Sequence, residues 1–211
     1  MGADGRTRVR GEAMGDFFER IVDLEATEEE AGPLAERMVG RLVAEGVLIR
    51  ERSREGVYSA GADEGYLPGP GWGRAVHGGA EAGWAPGPVA VVLGRRDHIA
   101  GQGEYAAEAV TCPRCGTRTV VIDYPEVPEP DDEVWRPFEE AVAVWRRTGG
   151  GSVPCPACGV SVPVAEWDFG EDFALGALAF EFWNWPPLDD GFRAEFGRWL
   201  GHRTAHHTGK F

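Results

Sequence analysis

Apolar and polar positions alternate at the start of the chain. Over residues 17–25, Phe18, Val22 and Leu24 fall on one side of a period-two pattern, which predicts a strand. Thr27 and Glu30 have capping-box spacing, so a helix starts there. Pro33 cannot sit deep in a helix, which predicts a short first turn ahead of a main helix from about Pro33. Leu34, Met38 and Leu42 then recur every fourth residue, Gly46 ends the helix, and Val47–Arg50 resumes as a strand. The far end repeats this order. Residues 175–185 (LGALAFEFWNW) read as a strand with Leu178, Phe180 and Phe182 on one face and Trp183 and Trp185 on the other. Pro186 and Pro187 stop it, and Asp189 or Asp190 caps a helix carrying Phe192, Phe196, Trp199 and Leu200. Gly201 ends that helix, and residues 202–211 extend as a last strand.

Two strand–helix–strand halves around a long insertion predict an α+β fold: a ferredoxin-like, split βαβ sheet with both helices on one face. The insertion costs little loop entropy, because that cost grows only logarithmically with length. The expected organisation is a disordered leader at 1–13, and a split α+β domain from 14–52 and 171–211. Between these lie a covering segment with a strand at 53–110 and a zinc-ribbon insertion with a helix at 111–170. In the insertion, Trp135, Phe138, Val142 and Trp145 share a helix face that packs on the ribbon or the sheet. Residues 87–94 (GPVAVVLG) read as a buried strand, and GYLPGPGW (65–72) as a partner loop or a cover for the sheet. Trp183 and Trp185 need a cover too, which the ribbon is expected to supply.

The chain has 31 Gly and 15 Pro, a content that predicts many turns and long loops. The balance of 21 basic against 35 acidic residues, a net −14, argues against a general nucleic-acid binder and against docking on anionic membranes. No apolar run approaches the roughly 18 residues of a membrane span, and nothing at the start has the form of a secretory signal, so a cytoplasmic protein is expected.

The chemistry concentrates in the cysteines. Cys112 and Cys115 lie in CPRCG, and Cys155 and Cys158 in CPACG, with none left over. Two residues between thiols let both sulfurs reach one ion, about 2.3 Å away for zinc, and the following Gly lets the backbone turn around the thiolate. Two such knuckles make a tetrahedral four-sulfur site. Zinc is the expected ion; iron in a rubredoxin-like centre is the alternative, and two disulfides or four free thiols would be the metal-free readings. Four thiolates leave no open coordination position, so the site is structural. No catalytic residue is assigned. Asp97–His98 are adjacent on a strand and so point apart, and His202, His206 and His207 read as exposed terminal histidines, with His202 and His206 on one face and His207 on the other. Neither a G-x-G-x-x-G nor a phosphate-binding loop is present.

The combination of FFERIVDLEA, LAERMVGRLVAEGV, PGPGW, the two CPxCG knuckles, FWNWPPL and the F-x3-F-G-x2-L-G-H segment resembles a Streptomyces-type actinomycete family of uncharacterised proteins, over most of residues 14–211. Arginine outnumbers lysine twenty to one, with Lys210 alone, as is similar to proteins of high-GC bacteria. The resemblance implies no activity and carries no catalytic residue. The expected function is a non-enzymatic, zinc-stabilised protein-binding or assembly protein whose acidic surface suits a basic protein partner. An immunity or inhibitor protein against a basic toxin is one form of it. The alternatives are an enzyme with a site between sheet and insertion, built on Asp97, His98 or the terminal histidines, and nucleic-acid binding through the ribbon, using Arg114, Arg118, Arg146 and Arg147.

Overall fold

The computed structural model describes residues 16–101, 105–124 and 129–210. The expected leader, 1–13, lies outside the described residues. The fold is mixed α+β. Its main sheet takes strands from both ends of the chain: β1 (Phe17–Asp23), β2 (Leu48–Ser53), β3 (Gly65–Pro68), β4 (Val89–Ile99), β9 (Phe173–Trp183) and β10 (Thr204–Lys210). Their spatial order is β10-β1-β9-β4-β3-β2, with every neighbouring pair antiparallel. β9 lies between β1 and β4 and is buried at all 11 of its residues, which is why its sequence is apolar almost without interruption.

Helices α1 (Glu28–Ala44) and α3 (Asp190–Leu200) pack on one face of this sheet. Leu34, Met38 and Leu42 of α1 and Phe192, Phe196 and Leu200 of α3 join Ile21, Leu178, Phe180 and Phe182 in one core. Thr27 and Glu30 do form the capping box, and α1 runs on through Pro33 as one helix without a separate first turn. Pro33 forfeits a single bond, to the Glu29 carbonyl one turn back, and both residues are exposed, so the loss falls on the solvent side of the helix. Asp189 caps α3, accepting from the amides of Gly191 and Phe192, and Gly201 closes it in the left-handed region at φ 81°.

The opposite face is covered by the segment after β2. Val57 and Ala62 pack on Phe18, Ala90 and Trp183, and the Tyr58 ring meets Trp183 edge-on at 5.5 Å. The two tryptophans of FWNWPPL therefore part company, against the sequence expectation, and the ribbon covers neither. Asn184 has φ 55°, which breaks the strand's alternation. Trp185 swings back into the helix-side core, 5.2 Å from Phe182 and 5.9 Å from Trp72, and donates its indole N–H to the Gly87 carbonyl.

The insertion folds as two small hairpins and a helix: β5 (Ala109–Thr111) with β6 (Arg118–Val120), then α2 (Asp132–Thr148), then β7 (Ser152–Pro154) with β8 (Ser161–Pro163). The amphipathic face of α2 (Trp135, Phe138, Ala141, Val142 and Trp145) is buried against both hairpins and against Phe173 and Leu175 at the start of β9. So α2 touches ribbon and sheet together. No helix among the described residues is long and apolar enough to cross a membrane.

Candidate metal centre

Each cysteine pair occupies the turn of its own hairpin. In the first, the Gly116 amide donates to the Cys112 carbonyl at 2.9 Å, and the Cys112 amide to the Thr117 carbonyl at 3.0 Å. The second repeats this: Gly159 to Cys155 at 2.8 Å, and Cys155 to Val160 at 2.9 Å. Gly116 and Gly159 both have φ 71°, and a Cβ on either would meet no atom within 4 Å. Backbone conformation, then, and not lack of space, calls for glycine there.

The two turns face each other. The sulfurs of Cys112, Cys115, Cys155 and Cys158 all lie within 4.8 Å of one another, and those of Cys115 and Cys155 are 3.8 Å apart. A disulfide needs about 2.05 Å, and all four cysteines are free. Four sulfurs about 2.3 Å from a central zinc would stand about 3.8 Å from one another. The cluster is thus the size of a metal-binding tetrahedron and can hold an ion such as zinc. Cys112 and Cys155 are buried and form part of the ribbon's apolar core, whereas Cys115 and Cys158 lie at the surface.

Donors surround the sulfurs. The Arg114 amide reaches Cys112 Sγ at 3.4 Å, and the Thr117 hydroxyl lies 3.3 Å from Cys115 Sγ. Thr117, through its side chain and then its amide, draws the Cys115 thiol down to about 6. At Cys158 the Val160 amide favours the thiolate, but desolvation and the three other thiols outweigh it and push the group up to about 11. Four thiols this close do not all ionise unaided; a divalent cation among them removes the conflict. Thr117 is a residue that sequence reasoning passed over, although its place one step after CPRCG was a usable signal.

The other candidate residues do not assemble with the cysteines, and of the Asp and His candidates only His98 and His207 come near each other from different strands. Asp97 forms an ion pair with Arg146 of α2, whereas His98 is buried on the other side of the sheet. The terminal histidines are not exposed surface groups as expected. Each has its own setting because β10 pairs with β1, whose Glu19 and Asp23 are buried. His202 Nδ1 meets Asp23 at 2.9 Å; His206 Nε2 meets Glu19 at 2.6 Å, with Arg193 at its Nδ1 2.7 Å away. His207 is buried on the opposite face. Acidic residues inside the apolar run FFERIVD were the available sign that this strand meets basic partners. On the ribbon, Arg114 is paired with Glu166 at 2.6 Å.

No protein-family model, no curated protein and no solved structure matches the chain.

Proposed function

We propose that the chain is a non-enzymatic protein-binding or assembly protein, held together in its middle by one structural zinc ion on Cys112, Cys115, Cys155 and Cys158. Four thiolates would saturate the ion, so it would supply folding energy and not a reaction. Four free thiols suit a reducing, cytoplasmic setting. β4, from the expected covering segment, stands beside β9 where the ferredoxin-like order puts the strand at 47–50. With that one exchange, β10, β1, β9 and β4 with α1 and α3 are read as a ferredoxin-like core, extended by β3 and β2. Kinship with the actinomycete family belongs to the same proposal and rests on the CPRCG, CPACG and FWNWPPL segments.

The observation that carries the binding reading is a cleft of about 370 Å3 between α1 and the outer edge of β4. Its floor is apolar (Ala35, Val39 and Val91) and its rim is acidic (Glu36, Asp63 and Glu64). β3 pairs with β4 only at Val89 and Ala90, so beyond them this edge of β4 carries no strand among the described residues. Leu93, at the end of the cleft, is 47% exposed. Arg52 is committed to Glu64 at 2.7 Å, which leaves Glu36 and Asp63 to set the sign of the rim. An extended segment of a basic protein, with an apolar residue between arginines or lysines, matches this surface. A basic toxin bound by its immunity protein would be one such partner. Nucleic acid is the weaker reading, because Arg114 and Arg146 are already paired with carboxylates.

The test is capture from native-cell lysate by the full chain and by a Glu36→Lys/Asp63→Lys variant with unchanged melting temperature. A basic protein held at one-to-one stoichiometry by the former and at least tenfold less by the latter supports the reading. Equal capture by both, or capture of acidic species, overturns it.

A further inference from the structure

On the sheet face away from α1 and α3, three neighbouring strands bring His207, Arg20 and Glu181 into one cross-strand row. Arg20 stands opposite His207 on β10 and opposite Glu181 on β9. β4 reaches the same group, because the Ile99 carbonyl accepts from Arg20 and the adjacent His98 feels both Arg20 and His207. Exposure is 4% at His98, 3% at Glu181 and 1% at His207. Arg20 donates to Glu181 Oε1 at 2.9 Å and to the Ile99 carbonyl at 3.1 Å. His98 keeps one bond, to the Gly176 backbone, while Glu181 Oε2, His98 Nε2 and both ring nitrogens of His207 have no hydrogen-bond partner among the described residues.

A buried imidazole is tolerable when neutral and costly as a cation. Here the cost is raised by Arg20, which is charged at every accessible pH. Glu181 has already given one oxygen to Arg20, so a single carboxylate oxygen would have to serve two imidazolium rings. The other charged or titratable groups in reach make matters worse: Arg96 acts on His98 from its own strand, and His206 acts on His207. We propose that this cluster is a proton-linked latch, in which protonation of His98 and His207 releases the layer covering the outer face of the sheet. That layer is the segment 54–63 together with residues 99–101. Val57 and Ala62 lie on Phe18, Ala90 and Trp183, and of these Ala90 stands opposite Glu181 and the Phe18 ring lies under the Arg20 guanidinium, 4.2 Å away. Residues 99–101 are tied down by the bond from Arg20 to the Ile99 carbonyl and by the Gly101 amide on the Thr208 carbonyl at 3.1 Å.

Burial first, and Arg20 second, hold His98 well below the ordinary histidine range and bring His207 down to about 4. The sign follows from linkage. Above roughly 6.5 both rings are neutral whether the layer is closed or open, and pH has no effect through them. Below that, the open form takes up protons that the closed form refuses, so closure weakens steadily as pH falls toward about 4. At pH 5, one ring moved from roughly 6.5 to about 4 weakens closure roughly thirtyfold.

The experiment is amide hydrogen exchange on the metal-loaded full chain at pH 7.5 and 5.0, corrected for intrinsic rates, with metal content measured at both. The wild type is expected to lose at least about tenfold protection in 54–63 and 99–101 at the lower pH while keeping its metal, and a His98→Gln/His207→Gln variant to lose none. Equal loss in both proteins, or no loss in the wild type, overturns the proposal. Should the variant not fold, proton NMR titration of the wild-type imidazoles decides. Rings of His98 and His207 that stay neutral down to pH 5 support the latch; rings that titrate near 6.5 with the layer still protected overturn it.

Discussion

Single residues set three of the places where the chain changes direction under constraint: Gly116, Gly159 and Asn184. The knuckle glycines were legible from CPxCG, since the spacing demands a reversal directly after the second thiol. Asn184 was not. In FWNWPPL it reads as one more strand position, and only a φ of 55° shows that alternation ends there. Its side chain accepts from the Phe17 amide at 3.1 Å and donates to Asp16 at 3.0 Å, while its carbonyl accepts from the Trp84 indole at 2.9 Å. Asn184→Ala forces a Cβ-bearing residue without that compensation into the left-handed region and drops both side-chain bonds. It should cost about 2–3 kcal/mol in denaturant unfolding. Asn184→Gly keeps the conformation and loses only the bonds, so about half that is expected; equal costs would show that conformation plays no part. Buried charge was the other feature that escaped sequence reasoning. Glu19, Asp23 and Glu181 sit in apolar strands, and their partners, His206, His202 and Arg20, are separated from them by more than 150 residues.

Among elements, the helices were the most legible, because a buried face recurs at helical spacing whatever it packs against. The face of α2 shows this: the apolar positions expected from periodicity are the buried ones, with Ala141 added. Strand partners were less legible. β4 could be read as a buried strand, but nothing local says that its neighbour is β9, more than 70 residues on. The ribbon's hairpins pair over only three residues each, too few to hold themselves together, so the metal is assigned that task. Removing it should therefore act on one part of the molecule. We expect elemental analysis to return one zinc per chain. After chelation, amide protection should be lost across 109–122 and 152–163 and retained in β1, β9 and α3. Unchanged protection in the hairpins would mean that the aromatic core around Phe138 and Trp167, whose rings are 4.8 Å apart, suffices without the ion.

For the molecule as a whole, charge and topology matter more than any contact. A net −14 on 211 residues means that the surface repels itself. Exposed pairs such as Arg52–Glu64 and Arg203–Glu25 resist this only slightly, because water and salt screen them. Repulsion should therefore dominate, and raising sodium chloride from 0.02 to about 0.3 M should raise the melting temperature by a few degrees. A fall would show that the paired charges outweigh the unpaired ones. Binding of a basic partner should change in the opposite sense and weaken with salt. The composition made the charge argument available at once. The six-strand order was beyond reach, since it depends on long-range pairings that leave no local trace.

The central place of β9 has a consequence for how the protein is made. Synthesis delivers β1 first and β4 some seventy residues later, yet these two strands are not paired with each other; β9 stands between them in the sheet, and the ladder that joins them runs through it. Until Phe173–Trp183 leaves the ribosome, the nascent chain holds β1 without either of its partners and a β2–β3–β4 sheet with a bare edge, and the apolar side of α1 has no complete surface to rest on. The cysteine turns emerge before that moment, so a chain supplied with metal can order its middle while both flanks wait, and a chain starved of it must shelter three incomplete pieces at once.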